Sequence, residues 1–138
     1  TKGADINIKD KSGMTALIWA SSFAHVEIFK LLIAKGANVN VKNNDGGTAL
    51  MSASSWGHVE IVKLLLGKGA IINARSNDGE TALMWALIQG HLEVVKLLLA
   101  KGADVNVRNN EGKSALKIAS ENGHIEIVKL LKTAGGRE

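Results

Sequence analysis

The chain has 138 residues, 46% of them hydrophobic and 22% charged, with a formal net charge of +4 at pH 7. This is the composition of one soluble globular domain and excludes a disordered or fibrous chain. Cysteine is absent, which excludes disulfides, thiolate zinc sites and thiol nucleophiles. No run approaches the roughly 18 consecutive apolar residues of a membrane helix.

The first segment, residues 1–9, lacks the apolar block of a secretory signal. The expectation is therefore a chain with no membrane insertion, assigned to the cytoplasm by default. Gly3-Ala4-Asp5 has counterparts in Gly36-Ala37-Asn38, Gly69-Ala70-Ile71 and Gly102-Ala103-Asp104, all at a spacing of 33 residues. Residues 1–9 thus read as the closing segment of a preceding unit in a longer parent protein.

Residues 10–42 form the first full unit. A helix is expected from Thr15-Ala16-Leu17, because a threonine hydroxyl can accept a hydrogen bond from a free amide of the first turn. Residues 43–75 repeat the pattern. Asn43-Asn44-Asp45-Gly46 supplies the residue types of a tight turn, and Thr48-Ala49-Leu50 starts a helix with small residues at Ala53-Ser54. Val59-Glu60-Ile61-Val62-Lys63-Leu64-Leu65-Leu66 reads as a core helix with a Glu60–Lys63 pair. Gly69 follows as a C-terminal stop.

Residues 76–108 carry Asn77-Asp78-Gly79 and Thr81-Ala82-Leu83, and residues 109–138 carry Ser114-Ala115-Leu116. In the last unit Lys117, Glu121, Asn122 and Lys132 replace residues that are apolar or uncharged in most other units. That is expected of a polar terminal repeat that shields the core. The first unit keeps Ile18, Ile28, Phe29 and Ile33, so its N-terminal flank is expected to be exposed apolar surface. The chain then reads as a monomer with a tendency to self-associate through that flank.

Asp-Gly-x-Thr-Ala-Leu, then Gly-His-x-Glu-Ile-Val-Lys-Leu-Leu-Leu, then Gly-Ala-Asp-Val-Asn closely resembles the ankyrin repeat, over essentially the whole chain. The resemblance implies an all-α repeat solenoid: a stack of helix-turn-helix units joined by β-hairpin fingers. The family's Thr-Pro-Leu-His becomes Thr-Ala-Leu-Ile, Thr-Ala-Leu-Met (twice) and Ser-Ala-Leu-Lys. Proline at the first helical position is favourable but dispensable. Loss of that histidine removes a group that ties neighbouring repeats together in the family.

No catalytic set emerges. His25, His58, His91 and His124 follow the 33-residue period, and neighbouring repeats lie about 10 Å apart. Zinc ligands must lie about 2 Å from one metal, so the four cannot share an ion. The resemblance makes each a brace for its loop. Asp5, Asp45, Asp78, Asp104 and Glu111 read as turn residues outside any calcium-loop pattern, and no glycine cluster is followed by Lys-Ser or Lys-Thr. Neither cofactor nor metal is expected, and the chain reads as a non-enzyme.

In proteins resembling this one, partners contact the fingers and the exposed side of the first helices. The carry-over selects Ser22-Phe23, Ser55-Trp56 and Ile88-Gln89 at the ends of those helices. Phe23, Trp56 and Ile88 form a candidate apolar stripe, with Trp56 as preferred anchor; the opposing reading folds these side chains back to seal the groove. Met14, Gly47, Glu80 and Lys113 vary at one finger position, beside Asp45 and Asp78. Trp19 and Trp85 are assigned mainly to the core.

Lys9, Lys42, Arg75 and Arg108 share the same period and suggest a basic edge along the fingers, able to steer an acidic segment, or else a solvated edge balanced by the finger acids. The leading reading is a protein-interaction module or scaffold using the groove and fingers. The alternatives are nucleic-acid or acidic-partner binding along the basic edge, which the interspersed acids disfavour, and a targeting module of a larger enzyme.

Overall fold

A computed structural model describes residues 5–138, in which the period becomes four helix pairs. They are α1 (Ala16–Ser22) with α2 (Val26–Ala34), α3 (Ala49–Trp56) with α4 (Val59–Gly67), α5 (Ala82–Gln89) with α6 (Leu92–Ala100), and α7 (Ala115–Glu121) with α8 (Ile125–Thr133). Gly3, Ala4 and the rest of residues 1–4 lie outside the described residues.

The first helix of each pair begins where the sequence places a hydroxyl. Thr15, Thr48, Thr81 and Ser114 are the N-caps, and their side-chain oxygens accept hydrogen bonds from the amides of Ile18, Met51, Met84 and Lys117. Gly57 and Gly90 end α3 and α5 in the left-handed region, at φ 75° and 73°, where a residue without Cβ is least strained. The second helices carry Glu27, Glu60, Glu93 and Glu126 in their first turns, next to the positive end of the helix dipole. Glu60 pairs with Lys30 of the preceding repeat at 4.0 Å, rather than with Lys63 as the sequence spacing suggests.

The first helices form one layer, α1 against α3 against α5 against α7, and each second helix packs on its own partner. Ala20, Ala53, Ala86 and Ala119 are all buried in that layer, and their small side chains let successive helices approach closely. Leu17, Leu50, Leu83 and Leu116 run beside them, and Ile61, Leu65, Val94, Leu98, Ile127 and Leu131 fill the space behind. The core is almost wholly aliphatic.

The expected apolar N-terminal flank is only partly right. Ile18 and Phe29 are buried against the second repeat. Ile28 does stand on the outward face, 52% exposed, joined by Leu31, 58% exposed, while Ile33 is half-buried. The residue equivalent to Ile28 in the second repeat, Ile61, is 1% exposed, because the first repeat covers it. At the other end Lys117 is exposed where its counterparts Ile18, Met51 and Met84 are buried.

The fingers also need correction, since no β-hairpin ladder forms among the described residues, only one isolated antiparallel bridge between Arg108 and Ser114. Each finger is a tight turn closed by two backbone bonds, of which the first runs from the amides of Gly13, Gly46, Gly79 and Gly112 to the carbonyls of Asp10, Asn43, Ser76 and Asn109 at 2.9–3.0 Å. The amides of Asp10, Asn43, Ser76 and Asn109 donate to the carbonyls of Met14, Gly47, Glu80 and Lys113 at 2.8–3.0 Å. The first residue's side chain then takes two more amides; Asn43 Oδ1, for example, accepts from Asp45 and Gly47 at 2.9 and 2.8 Å. Local side-chain bonds of this kind compete with a strand ladder.

No described helix is long and apolar enough to cross a membrane. Ser54 is fully buried in α3 and its hydroxyl has no hydrogen-bond partner, whereas the equivalent Ser21 donates to the Leu17 carbonyl at 2.8 Å. The equivalent residue in the third repeat is Leu87. Ser54→Ala is therefore expected to raise unfolding stability by about 1 kcal/mol, read from the urea midpoint.

Candidate partner-binding groove

The fingers stand in a row because each is fastened to the next at a step of one repeat. The backbone amides of Asn44, Asn77 and Asn110 donate to the carbonyls of Ser12, Asp45 and Asp78 at 2.9 Å. Their side-chain amides donate to the carbonyls of Lys11, Asn44 and Asn77 at 2.7–3.0 Å. The approach is so close that a Cβ on Gly46, at φ 77°, would sit 2.7 Å from the Asn77 amide nitrogen.

The expected basic edge is part of the same fastening. Lys9 Nζ donates to the Lys42 carbonyl at 3.0 Å, Lys42 Nζ to the Arg75 carbonyl at 2.9 Å, and Arg75 Nη2 to the Arg108 carbonyl at 2.6 Å. Arg108 reaches the carbonyls of Gly112 and Glu138. These cations are anchored on the backbone of the following repeat and are not a row of free side chains. The histidines act likewise: His58 and His91 place Nε2 2.9 Å from the carbonyls of Ser22 and Ser55, at the ends of α1 and α3. His124 Nε2 is buried without a partner.

Between the fingers and the first helices lies a groove of about 350 Å³, lined by Asn43, Asp45, Gly47, Met51, Ser52, Ser55, Trp56, Ser76, Asp78 and Trp85. Its floor is aromatic. The chain has three tryptophans, two phenylalanines and no tyrosine, and of these five rings only Phe29 belongs to the buried core. Trp56 is 64% exposed on the groove. Phe23 occupies the position equivalent to Trp56 one repeat earlier and is 56% exposed. It stacks on Trp19, which is 45% exposed, with ring centroids 5.5 Å apart and planes inclined by 5°.

Trp19 Nε1 donates to Asp10 Oδ2 at 3.3 Å, tying that ring to the first finger. In the third repeat the residue equivalent to Asp10 is Ser76, and its hydroxyl already accepts from the amides of Asp78 and Glu80. The indole N–H of Trp85 is consequently buried without a partner. The expectation that Trp19 and Trp85 sit mainly in the core fails for Trp19, which is exposed, whereas Trp85 is half-buried against the core with an edge on the groove.

The rim is acidic. Asp45 and Asp78 line the groove, and Glu80 is half-buried beside them. Among the described residues neither these three nor Asp10 or Glu111 forms an ion pair. Desolvation raises the Glu80 carboxyl above its ordinary range, the Asp78 and Glu111 charges push the same way, and a 3.5 Å hydrogen bond from Asn109 opposes them. Asp10 is lowered, chiefly by the Met14 amide, with the Ser12 amide and the Trp19 indole acting in the same direction. No group of three or more described His, Asp or Glu side chains is arranged to hold a metal ion.

The structure thus gathers Asp45, Gly47, Ser55, Trp56 and Asp78 around one groove, with Glu80 at its rim. Met14 is half-buried, its sulfur accepting from Asn43 Nδ2 at 3.3 Å. Ser22 is turned back on its own helix, donating to the Ile18 carbonyl. Ile88 does not join the stripe. The true counterpart of Phe23 and Trp56 is exposed Gln89, and Ile88, one residue earlier and about 100° round the helix, is half-buried against the core.

Two outcomes follow. Arg75→Ala removes bonds to the Gly79 and Arg108 carbonyls and is expected to cost about 1–2 kcal/mol of unfolding stability, seen as a lower thermal midpoint. Because the folded state raises the Glu80 carboxyl, ionising it disfavours folding above that pKa, and the penalty vanishes below the ordinary carboxylate range. Glu80→Gln should therefore raise the thermal midpoint at pH 7, with a gain that fades as the pH falls through the carboxylate range.

Among curated proteins none matches the chain. The sequence profile of ankyrin repeats, spanning three copies, matches residues 2–76 and again residues 71–137. Ankyrin repeats are generally protein-protein interaction modules and typically non-catalytic. With nearly every residue covered, the chain belongs to the ankyrin-repeat family.

Proposed function

We propose that this chain is a non-enzymatic interaction module that binds a partner protein in the groove between its fingers and first helices. Four of its five aromatic residues face that side, while the core is packed with aliphatic side chains. This single observation carries the reading. Rings left in solvent contribute little burial to the stack, and large aromatics in a groove are the usual anchors of a protein interface. Trp56 is the central anchor, with Trp85 beside it and the Trp19–Phe23 pair extending the apolar floor toward the first repeat. Asp45, Gly47, Ser55, Asp78 and Glu80 shape and charge the rim, and exposed Gln89 continues the row past Trp56. Binding along Lys9, Lys42, Arg75 and Arg108 is the weaker alternative, because those side chains already hold the next repeat.

The test is capture from a lysate by the native chain and by a Trp19→Ser, Phe23→Ser, Trp56→Ser variant whose helical circular dichroism matches the native chain. The expected result is a protein retained by the native chain and lost by the variant. Equal capture by both would move the interface off the groove.

A further inference from the structure

Building on the reading of the groove as a protein-binding surface, we infer that its occupant is a basic polypeptide segment that sets Arg or Lys side chains against Asp45, Asp78 and Glu80 while an apolar residue rests on Trp56. The argument starts from a mismatch of sign. The chain as a whole carries a net charge of +4, yet the groove collects carboxylates. Asp45 and Asp78 line it, Glu80 and Glu111 stand next to them on the fingers, and none is ion-paired among the described residues. Lys9, Lys42 and Arg75 on the finger edge are turned onto backbone carbonyls and pair with none of these acids, while Lys113 of the last finger feels Glu111 but pairs with Glu121.

The last repeat shows what a cation does at this place. Lys113 stands at the finger position occupied by Glu80 one repeat earlier, and its ammonium meets the Glu121 carboxylate at the end of α7 at 3.0 Å. One cation there spans the groove from finger to helix. In the second repeat the corresponding pair is Gly47 and Ser55, which leaves the groove open, and in the third it is Glu80 and Ile88, which gives the carboxylate no cation at the matching position. A half-buried carboxylate without a cation is a standing electrostatic cost to the folded chain. A ligand cation removes that cost on binding, and the fields of Asp78 and Glu111 act in the same direction.

The aromatic floor suits the same ligand. A guanidinium or ammonium held by the rim acids lies within a groove whose other wall carries the open face of Trp56, and an indole face attracts a cation. The rim acids are not gathered closely enough to hold one metal ion. Asp45 and Asp78 belong to adjacent repeats, about 10 Å apart. That span equals about three residues of an extended chain, so cations spaced three residues apart on an extended segment would meet successive fingers.

The experiment is selection of peptides from a random phage-displayed library on the native chain, followed by titration of synthetic copies against native protein, Trp56→Ser and an Asp78→Asn, Glu80→Gln variant, all checked for folding by circular dichroism. Expected are peptides rich in Arg and Lys at a three-residue spacing, weakened about tenfold or more by either variant and weakened further by added salt. Neutral or acidic peptides that are lost on Trp56→Ser would overturn the basic-segment inference and leave the groove reading standing. Peptides that bind Trp56→Ser as tightly as the native chain would overturn the groove reading itself, and a library that yields no peptide would overturn the inference of a linear basic segment.

Discussion

No finger in this protein can satisfy its own backbone. Each is a five-residue turn with two internal backbone bonds and two more from its first side chain, and further amides and carbonyls are met by the repeat before or after it. Asparagine side chains, the Lys9-to-Arg108 series, His58 and His91 all act from one repeat to its neighbour. Buried or half-buried polar backbone must find a partner, so the fingers hold their direction only when the repeats are stacked. The groove inherits its shape from that requirement, since its walls are one finger, the next finger and the helices behind them.

This constraint divides residues of the same chemical type into different roles. Of the exposed cations, those on the finger edge fasten repeats together, while Lys30 and Lys96 make long surface pairs of little energetic weight. Among the acids, Asp10 accepts amide and indole hydrogen bonds and is held in its charged form. Glu80 is desolvated, sits near the Asp78 and Glu111 carboxylates, and is pushed toward its neutral form. Such a contrast between structurally satisfied and unsatisfied groups distinguishes positions that serve the stack from positions that weigh against it.

Three features weigh against it together: the orphan indole N–H of Trp85, the desolvated carboxyl of Glu80, and large rings left in solvent at Trp19, Phe23 and Trp56. All lie on the groove side. On the opposite flank α4 and α6 alternate buried aliphatic residues with exposed Glu and Lys in the ordinary amphipathic way, and the exposed large apolar residues of the second helices, Ile28, Leu31 and Ile125, belong to the two terminal repeats. Local conflicts with stability that cluster on one face are where function and folding ask for different residues.

The sequence by itself determined the period, the helix pairs and their caps, because threonine hydroxyls, αL glycines and apolar spacing act within a few residues of where they stand. It also placed Trp56, Asp45 and Asp78 on the exposed side of the unit. What it left open was every choice that depends on the adjacent repeat. Trp19 read as core until the stack turned its helix face toward the first finger, and Ile88 read as exposed until the register set Gln89 in the Trp56 position. The Lys and Arg series read as a free charged edge until each side chain met a carbonyl one repeat away. Those decisions belong to the tertiary structure because a lateral contact joins atoms some 33 residues apart, and no local pattern carries the distance between them.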